Sequence, residues 1–503
     1  MWNKGTKPSW QNMPNYFMRL NNPIDFNNTS YGARLYWILY AVASVSFLPA
    51  VRFYYVGEEA IFSISSLEMW HRGEWLQQLL YGQNLKHNPL FNWLIILLSN
   101  LVGWEQMLVV ARVITIFATV LTGIVAGWLA RRLYRDNAFA AFTALVYLTL
   151  EDVFFYRGWL AYVDPLFGFF IFSSIACLWV GFLEKREGLL WLGSLALVAA
   201  FLTKSLTAYA FYFSVLLVLV FRRENRSFLL RPRTMLPHLL ALATPIFWFA
   251  YATGDTQQSR MVGDIFQKFS LDNLPVYRKQ LLIFPLLTFA HLLPASLVTL
   301  YFLYSKQFVS SIRGLPHFTT ACWILGLNYL VYWLSPQSHS RYILPLYPLF
   351  ALVLAYSIWG IGDKAKVIAL RGFPALLVLK LIFVFVVFPY YQSHYRGENY
   401  TMTARKILYR TSGYPLYSND SSSSGLNVAA YLDILRLPQA PLTIAPSQWN
   451  SGFVLTKTPD SSLGQIAERY QLGGDNIYLL CRGEACSAHA NNDGSSGDTG
   501  NVN

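Results

Sequence analysis

Two adjacent carboxylates, Glu58 and Glu59, follow the first apolar block of this 503-residue chain, in the stretch VGEEAIF. Ionisable side chains recur further on: Lys86 with His87 in NLKHNPLF, Asp164 in YVDPLF, Lys204 in FLTKSL, and His339 with Arg341 in SHSRYIL. Each lies at or near the edge of an apolar segment, where charges are costly and usually functional. A carboxylate beside a cavity can take the proton of an attacking hydroxyl as a general base. Cationic side chains can hold a phosphate leaving group as its negative charge develops. Acids, bases and histidines drawn from five segments therefore suit group transfer from a lipid phosphate. The lipid tail explains why such a site is built among apolar helices, and a sugar headgroup would account for the abundant aromatic residues.

Each of these residues also has a plainer explanation. Glu58 and Glu59 can be a solvated helix start, since acids are favourable there. Asp164 precedes Pro165 at the start of an apolar block, an ordinary N-terminal position, and Lys204 can snorkel from a short turn. Arg341 fits the bland account less well, because a lone Arg on the less basic side departs from the usual charge asymmetry. His291 lies inside an apolar block and reads as a hydrogen-bonded packing residue rather than a ligand.

The elements that position these residues are set by composition. The chain is 54% hydrophobic and only 13% charged, about half the charge of an average soluble domain. That excludes a soluble protein, and the high hydrophobicity excludes a disordered one. The apolar residues come in blocks close to the length that crosses a bilayer core. The net charge of +13 does not indicate a nucleic-acid partner, because Lys and Arg cluster between apolar blocks as membrane topology requires.

Spans are expected near 35–51, 106–130, 137–151, 165–183, 189–203, 206–221, 236–253, 281–304, 318–335, 343–361 and 372–390. These make about eleven crossings, with the N-terminus cytoplasmic and the C-terminus outside. The basic stretches RRLYR, EKRE and RRENRSFLLRPR then lie inside. Residues 52–105 form a long outer loop with a helix from Ala60, and Leu90–Val102 lies along the membrane surface, because parity allows one crossing before Arg131. The chain divides into a transmembrane unit, 1–390, a small extracytoplasmic α/β unit, 391–486, and a disordered tail, 487–503. Met1–Tyr31 has no apolar core, so no cleavable signal is expected. Cys177 and Cys322 read as buried thiols, and Cys481 and Cys486 either form a disulfide or stay free.

The segments VGEEAIFSISSLEMWHRGEWL and GQNLKHNPLFNWL resemble the first outer loop of C-type glycosyltransferases, in particular the protein mannosyltransferase and lipid A aminoarabinose transferase group. YVDPLFGFF is similar to that family's Asp-Pro segment, FLTKSLTA to its Thr-Lys-Gly turn, and HSRYILPLYPLFALVLA to its Arg-Tyr span. The matches run in the family's order over most of residues 50–360. The resemblance implies an all-α polytopic fold and an inverting transfer of sugar from a polyprenyl-phosphate donor to a lipid, glycan or protein hydroxyl. It places that reaction on the outer face of a bacterial inner membrane.

In this alignment Glu58 takes the place of the catalytic base, Glu59 is its partner, and Asp164 is a second acid near the donor. Lys204 and Arg341 face the donor phosphate, with Lys86 and His87 bordering the same pocket. Members differ on divalent metals, and Glu58 and Glu59 would be the ligands if one were used. The chain departs from the family in having Glu-Glu for Asp-Glu, Asn88-Pro89 for Pro-Pro, and Lys204-Ser205 for Lys-Gly. The rival reading is a transporter or flippase of lipid-linked sugars, although paired internal repeats of the transporter kind are not evident.

Overall fold

The structure is a computed structural model that describes residues 26–85, 87–252, 263, 274–303, 316–361, 363–395, 398–472 and 474–487. Lys86, most of the expected 254–280 loop and nearly all of the tail from 487 lie outside the described residues. The chain has an all-α polytopic architecture, with a small sheet confined to the C-terminal part. Helical segments occupy each of the positions expected of crossings. Among the described residues six helices are long and apolar enough to span alone, and one bent pair passes the same test only when its two helices are taken together. The first eight helices are α1 Phe26–Val45, α2 Ala60–Arg72, α3 Leu90–Val102, α4 Met107–Tyr134, α5 Asn137–Leu148, α6 Val163–Glu184, α7 Glu187–Thr203 and α8 Thr207–Val220.

The core of the bundle is α4, α5, α6 and α7, with α1 packed on α5. Their apolar faces bury no net area relative to lipid, so close backbone approach has to hold them together. Small residues supply it. A Cβ on Gly127 of α4 would stand 3.0 Å from the Ala140 carbonyl of α5, and one on Gly193 of α7 would stand 3.3 Å from the Ser174 carbonyl of α6. Ser174 Oγ donates to the Gly193 carbonyl at 2.7 Å, across the same contact.

Two expectations change. The span expected at 281–304 is instead a helix, Leu274–His291, and a second, Ala295–Leu303, bent by 100°. Pro294 at the junction has no N–H to continue the hydrogen-bond ladder. The span expected at 137–151 ends as α-helix at Leu148 and continues into a π-helical turn, Asp152–Arg157. That turn is braced by Lys380, a fully buried lysine whose Nζ donates to the Phe154 carbonyl amid the rings of Phe47, Phe154, Phe155, Trp159 and Phe383.

Downstream, helices Glu398–Arg410 and Ser423–Leu435 cover a four-stranded sheet of order β3-β4-β6-β5. Its strands are β3 Leu416–Ser418, β4 Gly452–Thr456, β5 Gln465–Leu472 and β6 Asp475–Arg482, after the short hairpin β1 Leu79–Leu80 and β2 Gln83–Asn84 in the first loop. β3 pairs with β4 in parallel and the other pairings are antiparallel. Cys481 and Cys486 are joined as a disulfide. The helix Ser423–Leu435 packs on α2. Tyr431 meets Tyr55, whose ring centroid is 5.2 Å away, and the Tyr81 hydroxyl donates to the Asp420 carbonyl at 3.4 Å.

The same helix carries a buried ionisable group, Asp433. Asp433 is fully buried and accepts a hydrogen bond from the Leu442 N–H at 2.8 Å. Burial pushes its carboxyl up to about 7, with the charge of Glu68 on α2 adding to the effect. The folded form thus keeps a proton that the unfolded chain releases near the ordinary carboxylate range, so this group's contribution to stability is fully present below that range and is lost as pH rises through about 7. We expect Asp433→Asn to raise Tm by several degrees at pH 8 and to leave it unchanged near pH 4, as read by thermal melts of the purified protein.

Candidate functional site

The site is built where α6, α7, the loop before α2 and the 3-10 turn Ser340–Leu346 meet. Gly57 adopts a left-handed φ of 58°, and a Cβ there would lie 2.6 Å from the Tyr162 hydroxyl. That turn hands the chain to Glu58, whose N–H donates to the same hydroxyl at 3.2 Å. The Glu58 carboxylate is half exposed and stands 3.4 Å from the Arg341 guanidinium. Glu59, one residue on, points the other way.

Asp164 opens α6 and is ion-paired with Lys204, which closes α7; both side chains are about nine-tenths buried. Lys204 lies 5.0 Å from the Tyr342 ring centroid, and Arg341 lies 5.6 Å from the same ring. The field of Arg341 acts on both Asp164 and Glu58, and His87 is close enough to act on Asp164 too. His87 stacks on Phe62 of α2 at 6.2 Å, and His339 packs on Tyr342 at 5.7 Å. The chain therefore brings Glu58, Asp164, Lys204, Arg341 and His87 together, while Lys86 lies outside the described residues.

The family departures acquire physical roles. Asn88 stands where the family has proline, and its N–H donates to the Lys204 carbonyl at 3.1 Å while its side chain donates to the Phe201 carbonyl at 2.8 Å. A proline could not donate the first of these bonds. They tie the His87 segment to the turn that carries Lys204. Ser205, in place of glycine, pairs its hydroxyl with that of Thr207 at 2.9 Å at the start of α8.

The expectation for Glu59 has to be revised. It is fully buried, and both carboxylate oxygens are spoken for. Oε1 accepts from Arg112 Nε at 2.9 Å and Ala161 N at 2.6 Å, and Oε2 accepts from Arg112 at 2.5 Å and Val56 N at 2.8 Å. A carboxylate offers about four lone-pair directions, so none remains for an acceptor hydroxyl or a metal ion. Glu58 and Glu59 accordingly do not fit a metal as a pair. Among the described residues, Glu151, Asp152 and His291 are the group spaced to hold a cation. There Asp152 is already held by Arg157 at 2.7 Å and by the Tyr347 hydroxyl at 2.8 Å. His291 lies 3.4 Å from the Tyr347 hydroxyl and 3.9 Å from the Asp152 carboxylate.

Sequence reasoning missed Arg112. Fully buried in α4, it also donates to the carbonyls of Ala50, Phe53 and Tyr54, and it lies over the Trp159 ring at 5.3 Å. The signal was present: a single Arg inside the apolar run MLVVARVITIF demands a buried partner. Lys380, inside another apolar run, carried the same signal.

Residues 35–252 match the family model for dolichyl-phosphate-mannose-protein mannosyltransferase. An undecaprenyl phosphate-alpha-4-amino-4-deoxy-L-arabinose arabinosyl transferase of Yersinia enterocolitica is 26% identical over 373 residues, covering 71% of this chain and 64% of the relative. An enzyme of the same name from Edwardsiella ictaluri is 25% identical over 361 residues, covering 68% of this chain and 63% of the relative. The chain thus spans just under two thirds of the length of these curated relatives. The crystal structure of ArnT from Cupriavidus metallidurans bound to undecaprenyl phosphate aligns with a TM-score of 0.64 at 16% identity, over 90% of this chain and 98% of that one. At that identity the likeness is one of fold.

Proposed function

We propose, from the premise that the chain belongs to the C-type glycosyltransferases of the protein mannosyltransferase and lipid A aminoarabinose transferase group, that it moves a sugar from a polyprenyl-phosphate donor to an acceptor hydroxyl. The acceptor is a lipid, glycan or protein, and the site faces the outside of the inner membrane. The observation that carries this reading is Arg341, which stands between the exposed carboxylate of Glu58 and the buried Asp164–Lys204 pair.

The chemistry follows from that placement. Glu58 takes the acceptor proton as its oxygen attacks the anomeric carbon from the face opposite the phosphate, so the configuration inverts. The C–O bond to phosphate breaks, and the charge left on the phosphate is met by Arg341 and Lys204, cations already in place where the charge develops. Asp164 holds Lys204 in place. Tyr342, beside both cations, offers a ring on which a sugar can stack.

The test is transfer in proteoliposomes from a polyprenyl-phosphate-linked labelled sugar to lipid and glycan acceptors, with the product anomer read by NMR. Inverted product supports the reading, and retention of configuration or no transfer with any donor refutes it. Arg341→Ala should raise the donor KM by about tenfold to a hundredfold, the range for a lost hydrogen bond to a charged group, with a smaller change in kcat. EDTA in the same assay tests the metal. Loss of rate that Mn²⁺ or Zn²⁺ restores would direct attention to Glu151, Asp152 and His291, because the Glu59 carboxylate is saturated.

A further inference from the structure

α4 and α6 both run from the site to the opposite end of the bundle. Arg112 and Asp164 lie near their starts, and Arg131, Arg132 and Glu184 near their ends. The twenty residues from Asp164 to Glu184 cover ~30 Å of helix, the depth of a bilayer core. At that far end lies a cleft of about 760 Å³, whose lining includes Arg131, Arg132, Arg135, Asn137 and Trp128. This is the size of a small-molecule site, and nothing in the transfer reaction uses it.

The cations around the cleft are not equivalent. Arg132 is neutralised by Glu184 at 3.2 Å and lies over Trp128, and Arg186 takes the other oxygen of Glu184 at 3.6 Å. Further along the same end, Lys185 is spent on Asn225 at 2.6 Å and Arg226 on the Val220 carbonyl at 2.9 Å. Among the described residues, Arg131 and Arg135 have no carboxylate partner. The chain also turns sharply to present them. Arg135 takes a left-handed φ of 57°, its N–H bonds the Arg131 carbonyl at 2.8 Å, and Asp136 then caps α5 through the Ala138 and Phe139 N–H groups. Charge asymmetry across a membrane requires only that basic residues lie at this end. It does not require a cleft with two uncompensated guanidinium groups along its wall.

We infer that this cleft binds the phosphate of an anionic phospholipid from the leaflet opposite the candidate site, with Arg131 and Arg135 as its ligands. A guanidinium fork suits a phosphate oxygen pair, and basic pockets between spanning helices on this side of a membrane recognise such headgroups. The lining offers a lipid more than charge. Trp128, Leu133 and Leu183 add apolar lining beside the arginines, and Leu183 is 39% exposed. A free phosphate ion would gain nothing from that lining, whereas a glycerol backbone and the first methylenes of an acyl chain would.

The test reconstitutes the full chain in nanodiscs of equal parts phosphatidylglycerol and phosphatidylethanolamine, extracts it in mild detergent, and counts retained lipid by native mass spectrometry. Wild type should retain phosphatidylglycerol over phosphatidylethanolamine by about tenfold, given two basic contacts. Arg131→Gln/Arg135→Gln should abolish the preference, and Arg131→Lys/Arg135→Lys should keep part of it. Asn137→Trp, which places an indole in the cleft and leaves every charge in place, should also weaken it; this variant covers the case in which the glutamine pair fails to fold. Equal retention of the two lipids by wild type, or unchanged retention in the glutamine pair and in Asn137→Trp, would overturn the inference. Displacement of the retained lipid by millimolar inorganic phosphate would also overturn it, by marking a site for free anions.

Discussion

Glu58→Gln is expected to lower kcat for sugar transfer by about 10²–10⁴-fold, the usual contribution of a positioned general base, while leaving donor KM and Tm close to wild type. The reason is geometric. The Glu58 carboxylate is half exposed and has one charged neighbour, Arg341, at 3.4 Å. Removing its charge therefore strands no buried partner. Glutamine keeps the size and a hydrogen bond to Arg341 but cannot accept the proton. Glu58→Asp should be intermediate, because the carboxylate retreats by one methylene from a backbone held by Gly57 and Tyr162. Steady-state kinetics with the lipid-linked donor, alongside a melt of each variant, decides the matter. A wild-type kcat in Glu58→Gln would remove Glu58 as the base.

The second large effect is on stability. Arg112→Met should cost about 3–5 kcal/mol, the range for breaking one side of a buried ion pair, and should abolish transfer as well. Five hydrogen bonds leave with the guanidinium: two to Glu59 and three to the carbonyls of Ala50, Phe53 and Tyr54. Those carbonyls belong to the stretch that leads into Gly57 and Glu58, so the base loses its mount along with the fold. Arg112→Lys should recover little, because an ammonium cannot reproduce the planar fork that reaches all of them. Adding Glu59→Gln to Arg112→Met removes the stranded charge and should restore part of the lost Tm. A double-mutant cycle measures the coupling. Additive losses would mean that the pair does not act as a unit.

Much of this architecture is readable from the chain because lipid leaves few options. A spanning segment in hydrocarbon must satisfy every backbone group internally, so block length and composition point to helices and their order. Helices accordingly occupy each expected span position, and the α2 helix begins at Ala60 directly after the paired acids. Two elements escaped for identifiable reasons. The 100° bend at 291–295 depends on what receives the second helix, and both sides of it are apolar in sequence. The π-helical turn Asp152–Arg157 is held by Lys380, far away in sequence.

The candidate site divides along the same line. Residue type and spacing singled out Glu58, Asp164, Lys204, Arg341 and His87 without coordinates, because charge beside an apolar block is expensive and needs a reason. What they could not do is tell Glu58 from Glu59. The two acids are adjacent, and direction along a chain at a tight turn depends on which partner lies on each side. Arg112 waits on α4 for one of them, and Arg341 meets the half-exposed carboxylate of the other. By itself, then, the sequence determined that this is a helical membrane protein with a set of acids and bases destined for one edge of the bilayer. Only the tertiary structure decided which carboxylate stays half exposed beside Arg341 and which is buried against Arg112, since hydrogen-bond saturation comes from groups that only folding brings together.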